Sequence, residues 1–260
     1  MTVPVYLNSS FSYVETAPIT DVDDIITAFR DEVLNGQTPA WTEPDTALFK
    51  SPPDGSGRWI DVLLTRIAAN NLECRVRDSS GTTIITGRMQ IGTVAIVRIF
   101  TGQFHFHIET VGASPEFVRG GIVDLTPEAQ SAHSQWAYGY TRRDTSDALR
   151  SYCYWRSSAM IDNGTPAIVE RGLGFCIATA AKNLQSASGA WIFGACGVTV
   201  KPPGDASNFR YAGRLYQQVV CPDDIPGSEF VVPIDTNSFG TFKIIGMPAY
   251  LSQRLAVRIA

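Results

Sequence analysis

Gln103-Phe104-His105-Phe106-His107-Ile108-Glu109 is the one run in this chain whose spacing could do chemistry. On a strand, alternate residues share a face, so His105, His107 and Glu109 project together and could hold a divalent metal. The same alternation also describes a plain polar face with Phe104, Phe106 and Ile108 turned to the core. The only other histidine is His133. Strand alternation accounts for the run by itself, so no metal and no cofactor is expected.

Other arrangements carry less. There is no Gly-x-Ser-x-Gly, and Gly55-Ser56-Gly57 sits in a glycine-rich turn, not at a strand-to-helix elbow. Gly172-Leu173-Gly174 lacks the third glycine and the Lys-Thr of a phosphate loop. Cys153 with His133 has no positioning carboxylate beside it, and Asp23-Asp24 and Asp223-Asp224 read as a helix start and a proline-bracketed loop. No catalytic residue is assigned, and the expectation is a protein that is not an enzyme.

A second constellation is aromatic. On strands, Trp136, Tyr138 and Tyr140 fall on one face, as do Tyr152 and Tyr154. Exposed, they would form a candidate binding surface for sugar or protein, since aromatic rings offer area with little entropy to lose. Buried, they are an ordinary core with hydroxyls at its rim, which is common where aromatic strands pack.

The elements that must position these residues are mostly strands. One helix is expected over Thr20–Leu34, with Val22, Ile25, Ile26, Phe29 and Val33 on one stripe, Thr20 or Asp21 as cap, and a left-handed Gly36 as stop. Residues 36–57 form a Pro-rich linker anchored by Trp41 and Phe49. An antiparallel meander then runs through 58–67, 72–78, 82–91, 94–100 and 104–108, separated by Asn and Gly turns. Leu72, Cys74 and Val76 alternate with Glu73, Arg75 and Arg77, so that strand has one wet face. The first and fourth strands are apolar on both faces and need cover twice, once from the helix.

A further strand spans 117–125, and a short helix is expected to begin at Thr126-Pro127. Short aromatic segments follow, at 136–140, 151–155, 190–193, 215–220, 230–234, 242–245 and 251–259. The last alternates Leu255, Val257 and Ile259 with Arg254, Ala256 and Arg258, built to sit on a sheet, its own or a neighbour's. The fold class expected is mainly β with a small helical part. An N-terminal helix packs on an antiparallel meander over 1–125, and a β-sandwich or barrel-like half covers 126–260.

Composition excludes several roles. The 260 residues carry a net charge of −4 with scattered Lys and Arg, which argues against nucleic acid as main partner. The five cysteines are odd in number, widely spaced and without Cys-x-x-Cys, so neither a disulfide framework nor a zinc site is expected, and a reducing compartment is. Met1 to Ser10 lacks a basic region and an apolar core, so no secretory leader is expected. No apolar run reaches the roughly 18–20 residues of a membrane span, so no membrane insertion is expected. Charged residues are 18% of the chain, below the usual roughly 25%.

With these residues in view, the chain resembles the structural proteins of tailed-bacteriophage virions. The resemblance lies in Phe29-Arg-Asp-Glu-Val-Leu-Asn-Gly36, Lys50-Ser-Pro-Pro-Asp-Gly-Ser-Gly-Arg-Trp59, Phe104-His-Phe-His-Ile-Glu109 and Phe117-Val-Arg-Gly-Gly121. It implies a virion subunit of the tail, its tip or baseplate, or a fibre attachment. Such a subunit would be made in the host cytoplasm and act by contact with copies of itself and other virion proteins. It implies no catalytic residue. The alternatives are a receptor- or carbohydrate-binding module using the aromatic faces, and a hydrolase.

Overall fold

The computed structural model describes residues 9–112, 115–125, 136–143, 145, 149–155, 158–162, 173–174, 194–200, 210–222, 229–234, 237–245 and 253–260. Strand β1 (Phe11–Glu15) precedes helix α1 (Asp23–Asn35). Next come β2 (Thr42–Asp45), β3 (Leu48–Lys50), β4 (Ile60–Ala68), β5 (Asn71–Asp78), β6 (Thr83–Gln90), β7 (Val97–Gly102), β8 (His105–Thr110) and β9 (Phe117–Leu125). The chain continues through β10 (Ala137–Arg143), β11 (Leu149–Trp155), β12 (Ser158–Asp162), β13 (Leu173–Gly174) and β14 (Gly194–Val200). It ends with β15 (Arg210–Pro222), β16 (Glu229–Ile234), β17 (Asn237–Ile244) and β18 (Gln253–Arg258). The fold is mainly β, with one helix among the described residues and an antiparallel sheet curled into a half-barrel.

The helix begins three residues later than the sequence suggests. Asp21 does not cap it by side chain; its carboxylate accepts from the Asp23 amide at 3.0 Å and holds a turn that leads into the helix, whose N-cap is Val22. Asp23 and Asp24 occupy the first turn, where the positive end of the helix dipole favours them. Gly36 ends the helix, but with φ −84° it is not left-handed. Glycine is required there for space: a Cβ would stand 2.6 Å from the Glu32 carbonyl oxygen and 2.8 Å from the Ser12 Oγ of β1.

Ile25, Ile26, Phe29 and Val33 are buried, as the stripe requires. Phe29 meets Phe49 of β3 edge-on at 5.1 Å between ring centroids, Phe106 of β8 at 5.6 Å and Trp41 at 6.2 Å. Along the sheet, β3 and β8 are far apart: β3 pairs with β4, β4 with β5, β5 with β6, β6 with β10 at Arg88↔Arg143, β10 with β9, and β9 with β8. One side chain can touch both only because the sheet wraps around the helix.

The five meander strands appear at the expected places, with two corrections to their faces. Leu72, Cys74 and Val76 are buried and Arg75 is exposed, as read from alternation. On β4, however, Ile60, Val62 and Leu64 are buried, while Leu63 and Trp59 are only half-buried and residues 65–68 are exposed. The second face of β4 is therefore not core. The expected strand 94–100 starts only at Val97. From Gly102 back to Arg98, β7 is flanked by β1 and β8; before Arg98, β1 has ended, and a Thr16–Val97 backbone bond and the isolated bridge Ile19↔Ala95 take its place. Val94 and Ile96 are left at the surface.

The sheet runs on past 125. Strand β10 pairs with β9 from Ala137↔Ile122 to Thr141↔Val118, and β15 pairs with the end of β9 at Leu215↔Val123. The final strand β18 lies between β15 and β17 of its own chain. Residues 126–135, where a helix was expected, and 190–193, expected as strand, lie outside the described residues. Among the described residues no helix is long and apolar enough to cross a membrane.

Replacing Phe29 with Ala empties a site bounded by three rings. The variant should lose about 3–5 kcal/mol of stability, read as a lower denaturant midpoint at unchanged slope. A loss below about 1 kcal/mol, the range of surface substitutions, would show that this ring is not the centre of the core.

Candidate functional site

Strand β8 lies between β7 and β9, and its register lines up the side chains of one face. Gly102, His105, Gly121 and Tyr138 form one row across β7, β8, β9 and β10; Tyr13, Phe100, His107, Arg119 and Tyr140 form the next, starting from β1; Glu15, Arg98, Glu109 and Phe117 form the third. Paired residues in an antiparallel ladder point the same way, so these rows share one face.

This face is not the solvated one that alternation suggests. His105 is 1% exposed, His107 0% and Glu109 1%, while Phe106 and Ile108 on the opposite face are buried too. The cover comes from the far end of the chain. Lys243 Nζ lies 4.6 Å from the Tyr13 ring centroid, Arg258 lies 4.4 Å over Phe11, and the Gln217 amide donates to Ser9. A strand polar on one face is thus held inside the curled sheet.

Its groups are joined in a chain. His107 Nε2 is 2.9 Å from Glu109 Oε2; Arg98 lies 3.5 Å from Glu109 Oε1 and donates to Glu15 at 2.8 Å. Tyr13 donates to Glu15 at 3.2 Å and accepts from Lys243 at 2.7 Å, which also pairs with Glu229 at 2.9 Å. The Arg98 hydrogen bond holds the Glu15 carboxyl below its usual range, and burial raises the Tyr13 phenol. Burial pushes His105 down to about 3, with the Arg119 charge and His107 adding to it. Burial also lowers His107, against the opposing pull of Glu109.

Both imidazoles are therefore neutral near neutral pH. His107 and Glu109 have the distance of an ion pair, yet desolvation outweighs the carboxylate, and the contact is a hydrogen bond between a neutral imidazole and the Glu109 side chain. The His107 Nδ1 and both ring nitrogens of His105 have no hydrogen-bond partner among the described residues. Each such group costs about 1–3 kcal/mol, tolerable only in a well-packed setting. For His105 that setting is two flanking glycines. A Cβ on Gly121 would lie 2.8 Å from the His105 Cβ, and one on Gly102 would overlap the imidazole ring.

The residues singled out by sequence are brought together differently from expectation. His105, His107 and Glu109 share a face, but His107 turns to Glu109 while His105 lies over Gly102, and no three His, Cys, Asp or Glu among the described residues are grouped to hold a metal. Trp136, Tyr138 and Tyr140 are buried, the core arrangement of the two that their alternation allows. Tyr138 accepts from Arg119 at 3.3 Å, and Tyr140 packs on Phe117 at 5.1 Å. The backbones of Tyr152 and Tyr154 pair with Thr141 and Gly139; their side chains lie outside the described residues, as does His133.

Sequence reasoning missed Arg119, a fully buried cation opposite His107, and the Arg98–Glu15–Tyr13–Lys243 relay. Arg119 had a local signal, an arginine inside Phe117-Val-Arg-Gly-Gly121 where apolar neighbours demand an inward face on both sides. The relay had none, since Tyr13 and Lys243 are 230 residues apart and Glu15 and Arg98 are 83 apart in the chain.

A second feature lies on the surface. Val94, Ala95, Ile96 and Val111, with Pro18 behind them and Gln90 and Glu116 at the rim, line an open groove of about 500 Å³. Val94 is 60% exposed, Ile96 36% and Val111 39%.

No model of a known protein family matches the chain, and no curated protein matches it.

Removing the anion should be costly. Glu109→Ala leaves His107 without its acceptor and Arg98 with Glu15 alone, and should lower stability by about 3–5 kcal/mol. Glu109→Gln, which still accepts from His107, should lose less. Equal losses in thermal or denaturant melts would show that the carboxylate acts only by filling space. Gly121→Ala should cost about 1–3 kcal/mol by overpacking against His105.

Proposed function

We propose that the chain is a structural subunit of a tailed-phage virion, of the tail or its tip, that works through protein–protein contact in a symmetric assembly and not by catalysis. The observation that carries this reading is where apolar surface is exposed. Among the described residues the large exposed hydrophobic side chains are Ile67, Val94, Ile96 and Val111, and the last three meet in one groove. Single exposed apolar residues are ordinary; a cluster framed by polar groups is how contact surfaces are built.

The assignment to a phage rests on the resemblance through Lys50–Trp59, Phe104–Glu109 and Phe117–Gly121, and the partners it implies are further copies and neighbouring virion proteins. Supporting the non-catalytic part, the histidines and Glu109 are sealed between sheets, where no substrate would reach them in the closed fold. The aromatic residues 136, 138 and 140 are likewise internal, which removes most of the surface that a sugar-binding reading needs.

A specific contact would bury roughly 1,200–2,000 Å². Val94→Asp with Ile96→Thr should leave circular dichroism and melting nearly unchanged, because Val94 is 60% exposed and threonine keeps the β-branched shape of the partly exposed Ile96. The same pair should abolish self-association in light scattering and incorporation into particles. Normal assembly by this variant would refute the groove as the contact. A wild-type chain that is absent from particles would refute the virion role.

A further inference from the structure

We infer that His105 and His107, set side by side in a buried row beside Arg119, form an acid-triggered latch whose protonation opens the contact between the N-terminal sheet and strands β17 and β18. This stands apart from the virion reading and would hold for a protein of any role.

The geometry makes added positive charge hard to accommodate. His107 lies directly opposite Arg119 across the β8–β9 ladder, and His105 is two residues away on the same face. Paired strands stand about 5 Å apart, so a proton on either ring sits next to a buried guanidinium. Gly102 and Gly121 close around His105, and the ring cannot swing out toward water without displacing backbone.

Among the described residues the groups facing this layer are mostly cationic or neutral. They are Tyr13 and Glu15 on β1, Arg98 on β7, Glu109 on β8, Arg119 on β9, Tyr138 and Tyr140 on β10, Lys243 on β17 with its partner Glu229 on β16, and Arg258 on β18. Glu109 is the carboxylate next to the histidines, and Arg98, itself shared with Glu15, already draws on it.

Relief comes from letting water in, and the seam best suited to open is the one held by side chains. Lys243 on Tyr13 and Arg258 over Phe11 are side-chain contacts, whereas β7, β8, β9 and β10 are joined by continuous ladders. The backbone pairing of β15 with β9 at Leu215↔Val123 would remain as the hinge.

The direction with pH follows from where the proton can bind. In the closed chain His105 stays neutral down to about 3, whereas an opened one titrates near the ordinary 6.5. The closed state is fully favoured above about 6.5. Below it, each buried imidazole shifts the balance toward opening by about tenfold per pH unit, until the closed form also protonates.

Hydrogen exchange on the full chain, corrected for the intrinsic pH dependence, tests this between about pH 7.5 and 4.5. In the wild type, β1, β17 and β18, whose side chains form the seam, should lose at least about tenfold protection, while α1, β4 to β6 and the laddered β8 keep theirs. His105→Phe with His107→Gln should hold protection across the range. Unchanged protection in the wild type, the same opening in the variant, or simultaneous loss throughout the chain would each overturn the latch. Should the variant fail to fold, the wild-type His105 ring proton shifts decide. They should stay neutral until protection falls, and titration near 6.5 in a still-protected chain would overturn it.

Discussion

Strand β8 is buried on both faces, and one of those faces is polar. Much of the described structure can be understood from that constraint. A carboxylate inside the curled sheet needs donors, and Glu109 takes them from His107 on its own strand and Arg98 on the next. Arg98 in turn needs more than a shared carboxylate and reaches β1 for Glu15. Through Tyr13 the same requirement extends to Lys243, more than two hundred residues away in the chain. The polar row thus joins the two sheets where an apolar interface would only press them together. Buried ion pairs add little net stability over apolar packing, but a broken one is costly, so they penalise wrong registers.

The opposite face of β8 solves a different problem. Phe106 joins Phe29, Phe49 and Trp41 in an aromatic cluster around the helix, and the sheet bends until strands from both of its ends touch the same ring. Curvature places small residues where the sheet must let bulky neighbours in: Gly102 and Gly121 beside His105, and Gly36 where helix and β1 meet. These glycines serve close approach, not unusual backbone angles.

The distribution of chemistry follows. Among the described residues His105, His107 and Glu109 are buried, whereas Val94, Ile96 and Val111 line an apolar groove beside the start of β7. The groove lies at the segment before β7, which is held by the Ile19↔Ala95 bridge and by the Val111 amide on Ile96, with Val94 and Ile96 at the surface.

What the sequence determined by itself was local. The helix stripe of Ile25, Ile26, Phe29 and Val33, the alternation of Leu72, Cys74 and Val76, and the turns between strands rest on periodicity and backbone preference, which need no distant partner. Most strands are where those preferences put them. The tertiary structure decided what covers each face. His105, His107 and Glu109 alternate with aromatic residues in the same way whether water or a second sheet lies beyond them. Among the described residues, Lys243, Arg258 and Gln217 from the far end of the chain lie on Tyr13, Phe11 and Ser9 beside that face, which is interior. Trp136, Tyr138 and Tyr140 likewise read equally as core or platform until a neighbouring layer is placed on them. Val94 and Ile96 read as core from composition but lie at the surface, in the segment before β7. Burial is a property of the partner as much as of the residue, and the partners here are far away in the chain.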